Sequence, residues 1–517
     1  MAIKKIALQY KDATLNIALD TISKKKQALV FVNTKRSAEK TAEDISKKIK
    51  VSEEIHIELS KRILKAVGSP TKQCRRLADC ISKGIAFHHA GLTAKQRELV
   101  EDAFRSGHVQ IICSTPTLAS GVDLPAFRTI IRDLKRYGSR GMMPIPVLEY
   151  LQMAGRAGRP SYDSFGEAIC LSGTDAEKES IYEKYIMGEP EDIFSKLAVE
   201  PVLRTYLLSL VASRFLRSKK QIMEFFEKTF WAKQFKDMAK LEAGIEKMLM
   251  LLEEWEFLKS MREEFASADE LDNTQYRATI LGKRVAELYL DPLTAHELIV
   301  GLKNAMSMRV VDLSWLQLVS QRLEMRPLLN VRVKEWDDLQ DTLARVEDRL
   351  LLKEPALYEE DYDEFMRSIK TAMFFQDWID EKNEEYLLEA YAIRPGEIRV
   401  KLGIADWLFY SCEELCKILE FRKLLRDISK MRLRLKYGIK DELFPLIKLR
   451  NIGRVRARKL FGNGITDVGK LKKFSEIGLG QLLGRGTAKK IKEQLGQTEG
   501  AVKKGTRKGQ LSIKKFK

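Results

Sequence analysis

No stretch of the 517-residue sequence approaches the roughly 20 consecutive apolar residues that span a bilayer, so no membrane-crossing helix is expected. The opening residues Met1 to Leu15 carry lysines but no apolar leader core and no small-residue cleavage site, so export is not expected either. Cysteine is sparse. The six residues (Cys74, Cys80, Cys113, Cys170, Cys412, Cys416) include no C-x-x-C pair, so no metal site is expected and the thiols read as buried ones of a reducing cytoplasm. Acidic residues fall short as well: 73 Asp and Glu against 91 Lys and Arg leave a formal charge of +18. A cation excess of that size has its commonest physical reason in a polyanion whose counterions are released on binding, which makes nucleic acid the leading partner class.

What is present is an ordinary globular composition, 44% hydrophobic and 32% charged. Single cores stop growing at roughly 250 to 300 residues, so about three to five domains are expected. From Gln27 the chain reads as a β-branched run followed by helical periodicity. The alternation then repeats: strand and loop over Gly84 to Leu92, helix over Thr93 to Arg105, strands over Val109 to Ser114 and Thr129 to Asp133, helix or loop over Tyr150 to Arg159, strand over Glu167 to Leu171. That alternation implies a parallel sheet covered by helices, with functional loops at the carboxyl ends of its strands. After about Asp175 amphipathic helices dominate to Tyr437, broken near Pro201, Asp291-Pro292, Pro355 and Pro395. From Lys448 the chain is Gly-punctuated and Arg-rich, and from Ala501 it is a lysine-rich tail without acidic residues.

The sharpest local signal is Gln152-Met153-Ala154-Gly155-Arg156-Ala157-Gly158-Arg159, which follows Ser114-Thr115-Pro116-Thr117-Leu118-Ala119-Ser120-Gly121-Val122-Asp123. Two closely spaced arginines beside small residues offer fixed bidentate donors to the charge that develops in phosphoryl transfer. The alternative is a Gly/Arg-rich surface loop with ordinary salt bridges. The two segments resemble motifs VI and V of superfamily 2 helicases. Further residues narrow the resemblance: Phe87-His88-His89-Ala90-Gly91-Leu92, Arg97, Phe104-Arg105-Ser106-Gly107, and Arg136-Tyr137 through Met143 to Tyr150. Together these resemble the archaeal Ski2-like DNA helicases, relatives of the polymerase-theta helicase domain, over nearly the whole chain. His88 and His89 by themselves read as packed or hydrogen-bonding histidines, since neither has a metal-spaced partner.

The resemblance implies an α/β RecA-like motor domain followed by mostly helical domains. It places the second RecA-like domain at 1–190, a winged helix at 191–288, a helical ratchet domain at 289–440, a helix-hairpin-helix domain at 441–495 and a basic tail at 496–517. It makes Arg156 and Arg159 the arginine fingers, with Gln152, Gly121 and Asp123 near nucleotide; Asp123 departs from the Asn usual there, keeping an acceptor but losing a donor. DNA contacts are implied for Thr115 and Thr117, for Arg136 and Tyr137 in a strand-separating β-hairpin, and for Arg399 and Trp407 of a ratchet helix, where Val400 replaces a common arginine. Trp407 can equally be core. Leu449 to Leu460 resembles a helix-hairpin-helix, with Gly453, Arg454, Arg456 and Arg458 on the phosphate side, and Leu483 to Ala488 looks like its partner copy. Gln510, Ile513 and Phe516 fit a sliding-clamp docking motif, although a chance match in a lysine-rich tail is the alternative.

Missing throughout are G-x-x-x-x-G-K-[S/T] and a D-E-x-H or D-E-A-D box; Gly68-Ser69-Pro70-Thr71-Lys72 imitates the first but lacks its second glycine. Without backbone amides and a lysine around the phosphates, and without a carboxylate for Mg²⁺, the chain is not expected to hydrolyse ATP alone. A split gene or a gene fragment is the favoured origin, an excised segment the other. ATP and Mg²⁺ would then be held mainly by a separate chain with Walker A and B motifs. The expected activity of the assembly is 3′ to 5′ unwinding of forked or branched DNA in repair and replication restart. The rivals are a non-catalytic, clamp-tethered DNA-binding adaptor and an RNA helicase.

Overall fold

Four short segments, three of them mainly apolar and the fourth opening on Arg128 and Thr129, become strands of a parallel sheet, β1 (Ala28–Phe31), β2 (Ile85–His88), β3 (Ile111–Ser114) and β4 (Arg128–Ile131), all of them buried. Burial on both faces removes any need for alternation, which is why β1 to β3 read as mainly apolar runs, while β4 buries Arg128 and Thr129 as well. The computed structural model describes residues 6–50, 53–119, 121–138, 141–159, 163–261 and 274–497. The clamp-type residues Gln510, Ile513 and Phe516 lie outside the described residues. A hairpin of β5 (Lys135–Gly138) and β6 (Gly141–Pro144) follows β4, and β7 (Glu167–Cys170) completes the sheet in the order β2-β3-β1-β4-β7. Every pairing within that five-stranded sheet is parallel.

The helices α1 (Ala13–Ser23), α2 (Lys35–Ser46), α3 (Glu54–Lys65), α4 (Lys72–Ile81), α5 (Ala94–Arg105) and α6 (Val147–Ala154) belong to the same domain. The α5 start is set by a capping box, in which Thr93 accepts from the Gln96 amide while the Gln96 side chain accepts from the Thr93 amide. The sequence leaves Tyr150 to Arg159 as helix or loop; the structure has a helix, Val147–Ala154. It begins at Val147 because Pro146 supplies the N-cap and the Glu191 carboxylate takes the Val147 and Leu148 amides. Arg128 is fully buried in β4. Its guanidinium donates to Asp20 Oδ2 (3.0 Å), Thr21 Oγ1 (2.6 Å), the Ile17 carbonyl (3.1 Å) and Glu167 Oε2 (2.8 Å), which joins α1, β4 and β7 through one charge.

Beyond Cys170 the described chain is helical apart from one antiparallel pair, β8 (Leu258–Met261) with β9 (Gln275–Ala278). Helix Glu200–Ala212 packs on Met238–Glu254 and Ile280–Glu287 through Leu203, Leu207, Leu208 and Val211. Three of the four prolines that punctuate the sequence mark helix starts: Pro201 lies in the first turn of Glu200–Ala212, while Pro292 and Pro395 open Pro292–Ala305 and Pro395–Ile418; Pro355 lies in the irregular connection before Tyr362–Ile379. A first-turn proline loses no helical hydrogen bond and has its φ preset.

The chain packs into two units. One comprises Met1–Val300, Arg322–Leu329 and Asn383–Ile404; the other comprises Gly301–Gln321, Asn330–Lys382 and Ala405–Lys517. In the second, helix Tyr362–Ile379 packs on Asp312–Ser320 and Arg422–Tyr437. A separate core from Ile439 to Ile491 gathers the short helices Phe444–Ile447, Arg454–Gly462, Val468–Lys473, Glu476–Leu483 and Arg485–Gln494.

Candidate nucleotide and nucleic-acid site

The loop after β3 and the turn after α6 are stitched together by one side chain. Arg156 donates from both Nε (2.9 Å) and Nη2 to the Ala119 carbonyl, and its Nη1 lies 4.0 Å from Asp123 Oδ1. Backbone bonds reinforce this: the Ala126 amide donates to the Arg156 carbonyl (2.9 Å) and the Gly158 amide to the Ala126 carbonyl (2.7 Å). Gly158 and Gly121 both have positive φ (94° and 81°), and Gly158 abuts Gly166, whose own Cβ would lie 2.2 Å from the Gly158 nitrogen. Only glycine tolerates both the conformation and the approach.

Around that stitch, Gln152 and Thr117 are exposed, and the Asp123 side chain is 95% exposed. Thr115 and Thr117 share a hydroxyl contact at 3.0 Å. Arg159 is turned inward instead, donating to Asp163 Oδ2 (2.7 Å) and Gln27 Oε1 (2.8 Å), while Lys26 holds the same aspartate at 2.6 Å. Two cations hold Asp163 below the usual carboxylate range: the Arg159 hydrogen bond outweighs the effect of burial, and Lys26 adds to it. Gln27 immediately precedes β1. Thr115 to Asp123 thus follow the carboxyl end of β3, whereas Arg159 lies beside Gln27, ahead of the amino end of β1. The physical reason is that the Arg156 to Gly158 segment pairs with Ala126, ahead of β4.

The β5–β6 hairpin presents Tyr137, 80% exposed, with Met142 and Met143 also exposed. Its base is held by Asn33 Nδ2 on the Lys135 carbonyl, and Arg136 pairs with Glu149 of α6. His88 and His89 are buried. His88 Nε2 meets Glu101 Oε1 at 2.9 Å, while the Gly91 amide donates to His89 Nδ1 (3.1 Å), leaving the proton on Nε2. Burial keeps both pKa values below the ordinary histidine value, despite the carboxylates beside them.

Arg399 and Trp407 lie eight positions apart in helix Pro395–Ile418; Arg399 is exposed and paired to Glu384 (2.6 Å), Trp407 half-buried and Val400 exposed. In the last module Gly453 is the N-cap of Arg454–Gly462 and Gly484, at φ 90°, that of Arg485–Gln494. Its arginines divide. Arg456 is exposed and donates to the Asn451 carbonyl (2.7 Å). Arg458 instead forks onto Glu381 and Glu442, and Arg454 stacks 4.7 Å over the buried Trp378 ring while donating to the Lys382 carbonyl. Two of the three side chains thus serve the fold of the unit in which they sit.

Gly68 to Lys72 is no phosphate loop. The Lys72 amide at the start of α4 is taken by Glu385 Oε2 (2.8 Å) and its ammonium by Glu389 (2.6 Å). Gly464-Ile465-Thr466-Asp467-Val468-Gly469-Lys470, which sequence reading passed over, comes closer to the Walker pattern. It ends on Leu471, however, and Asp467 caps its own six-residue helix by accepting from the Lys470 amide (2.8 Å). Among the described residues no cluster of His, Cys, Asp and Glu could hold a metal ion. Sequence reading also missed Gln27, Asp163, Glu149 and Glu39 as partners; Asp163 is four positions from Arg159, but its contact with Lys26 spans 137 positions and that of Gln27 with Arg159 spans 132, which no local pattern marks.

The family model for the helicase conserved C-terminal domain matches residues 61–161, and that for archaeal helicase domain 4 matches residues 313–438. The ATP-dependent DNA helicase Hel308 of Methanococcus vannielii is 34% identical over 97% of this chain and 69% of its own length. That of Pyrococcus horikoshii is 38% identical over 96% and 67%, and that of Pyrococcus abyssi 37% over 95% and 67%. The chain belongs to the archaeal Hel308 family of Ski2-like superfamily 2 helicases.

Proposed function

We propose that this chain is the second motor domain and the DNA-gripping part of an ATP-dependent 3′ to 5′ DNA helicase acting on forked or branched DNA in repair and replication restart. Residues 1–190 would be the motor domain, 191–288 a winged helix, 289–440 the ratchet domain and 441–495 the helix-hairpin-helix module. The Arg156 bridge supports this reading best: it joins the two helicase-like segments into one surface carrying Gln152, Gly121 and Asp123. ATP and Mg²⁺ would be bound mainly by a first motor domain on a separate chain, toward which Arg156 and Arg159 would present their guanidinium groups. Arg159 would have to leave Asp163 to do so. Thr115, Thr117, Arg136, Tyr137, Arg399, Trp407, Gly453 and Arg456 would contact DNA, with Arg454 and Arg458 bracing the module; the tail at Gln510, Ile513 and Phe516 would dock on a sliding clamp.

DNA-stimulated ATP hydrolysis by this chain, alone and mixed with a separately expressed first motor domain, tests the proposal. Activity only in the mixture, abolished by Arg156→Ala or Arg159→Ala with DNA binding intact, is the expected result. DNA binding without turnover in either case would leave a non-catalytic adaptor.

A further inference from the structure

Glu39 is 2% exposed, yet it gathers three donors. Arg76 Nη1 lies at 2.6 Å, Arg394 Nε at 3.0 Å and Gln73 Nε2 at 3.2 Å, and the protonated Nε2 of His89 faces it at 3.2 Å. Arg394 immediately precedes helix Pro395–Ile418, 355 positions from Glu39. Beside this cluster two backbones touch: the Gly396 amide donates to the Gly91 carbonyl at 3.0 Å. A Cβ at Gly396 would lie 2.3 Å from the Leu92 carbonyl oxygen and 2.4 Å from that of Ala90, and one at Gly91 would lie 2.3 Å from Arg394 Cδ. Lys35 pairs with Glu397, whose other oxygen accepts from the Arg394 amide (3.0 Å). The Phe87 to Leu92 segment, which takes no part in the proposed chemistry, thus builds a socket for the start of the long helix.

We infer that Glu39 is a positioning residue that locks the first turns of helix Pro395–Ile418 to the parallel-sheet domain, so that any displacement of that domain is delivered along the helix to Arg399 and Trp407. One continuous helix, Pro395–Ile418, carries both residues. An α-helix is stiff along its axis, so an anchored end transmits displacement rather than absorbing it. Burial raises the Glu39 pKa, but the His89 contact and the Arg394 charge outweigh it and hold the carboxyl at about 2, so the lock stays charged under any working condition. The glycine contact leaves no room for slip. The inference rests on the helicase reading for its consequence, though not for the lock itself.

Two measurements separate those levels. In this chain alone, hydrogen exchange at amides 396–404 is expected to speed up about tenfold in Glu39→Gln and in Gly396→Ala, with β1 and β3 unchanged. Unchanged exchange at 396–404, or acceleration throughout the sheet, would overturn the lock whatever the enzyme does. In the mixture with a first motor domain, both variants are expected to keep the kcat and KM of DNA-stimulated ATP hydrolysis within about twofold while base pairs opened per ATP fall about tenfold. Loss of hydrolysis in proportion to unwinding would mean a staple of the fold and no more. A wild-type mixture without hydrolysis would sink the helicase reading and leave the exchange result to judge the lock. Gly396→Ala touches none of the charged groups, so agreement between the two variants excludes an effect of charge alone.

Discussion

Arg136 in the β5–β6 hairpin and Glu149 in α6 meet at 2.7 Å, Nη1 to Oε2. The pair joins the hairpin that exposes Tyr137 to the helix that presents Gln152 and leads into Arg156. Glu149 is largely buried, its second oxygen has no hydrogen-bond partner, and burial raises its pKa against the pull of Arg136. A carboxylate desolvated to this degree is held in place chiefly by its one counter-ion.

Glu149→Gln keeps the shape and removes the charge. If the hairpin separates strands, this variant should lose about tenfold in fork unwinding, worth roughly 1.4 kcal/mol of coupling, while single-strand-stimulated ATP hydrolysis of the mixture changes less than twofold. Strand-displacement and phosphate-release assays on the same samples would decide it. Equal losses in both would place Glu149 in the nucleotide site instead.

Arg128 should prove indispensable to the sheet domain. Arg128→Met leaves Glu167 without its cation and Asp20 with only Lys24, and breaking a buried pair from one side costs about 3–5 kcal/mol. Urea denaturation should show the unfolding free energy falling by that amount, through a lower midpoint at little-changed slope. Neutralising the acids as well, with Asp20→Asn and Glu167→Gln, should recover part of the loss.

Glu39 also makes a pH prediction. Its folded pKa of about 2 lies below the ordinary 4.5, so its stabilising contribution is complete above pH 4.5 and is lost as pH falls from there toward 2. Thermal melts of the wild type should steepen in that window relative to Glu39→Gln, by at most about 1.4 kcal/mol per pH unit for one proton. The variant should be the less stable protein at pH 7, and the two curves should converge in acid.

The arginines of the last module should separate in salt titrations. Arg456→Ala should lower DNA affinity and reduce the slope of log K against log salt by about 1, the signature of one lost phosphate contact. Arg458→Ala should instead lower the melting temperature, because Glu381 and Glu442 lose their shared cation. A full unit of salt slope lost in Arg458→Ala with an unchanged melt would reverse this assignment.

What the sequence determined by itself was everything that rests on neighbours along the chain. Strands β1 to β3 announce themselves as mainly apolar runs, α5 by its Thr93 and Gln96 capping box, the helix starts by Pro201, Pro292 and Pro395, and the glycine turn before Arg454 by residue type. Local propensity and capping act over about four residues, so a local reading reaches them. The order and spacing of the Ser114 to Asp123 and Gln152 to Arg159 segments also sufficed for the superfamily, and the Phe87 to Leu92 and Arg136 to Tyr150 segments narrowed it to the family. Tertiary structure alone decided which charges are spoken for. Nothing near Arg159 in sequence says that Gln27 and Lys26 will stand beside it and Asp163, nor does anything near Arg394 reveal that Glu39 waits in α2, because strand order and helix docking bring these groups together. A buried charge costs too much to leave unpaired, so folding selects its partner from whatever the topology supplies, however far away in the chain.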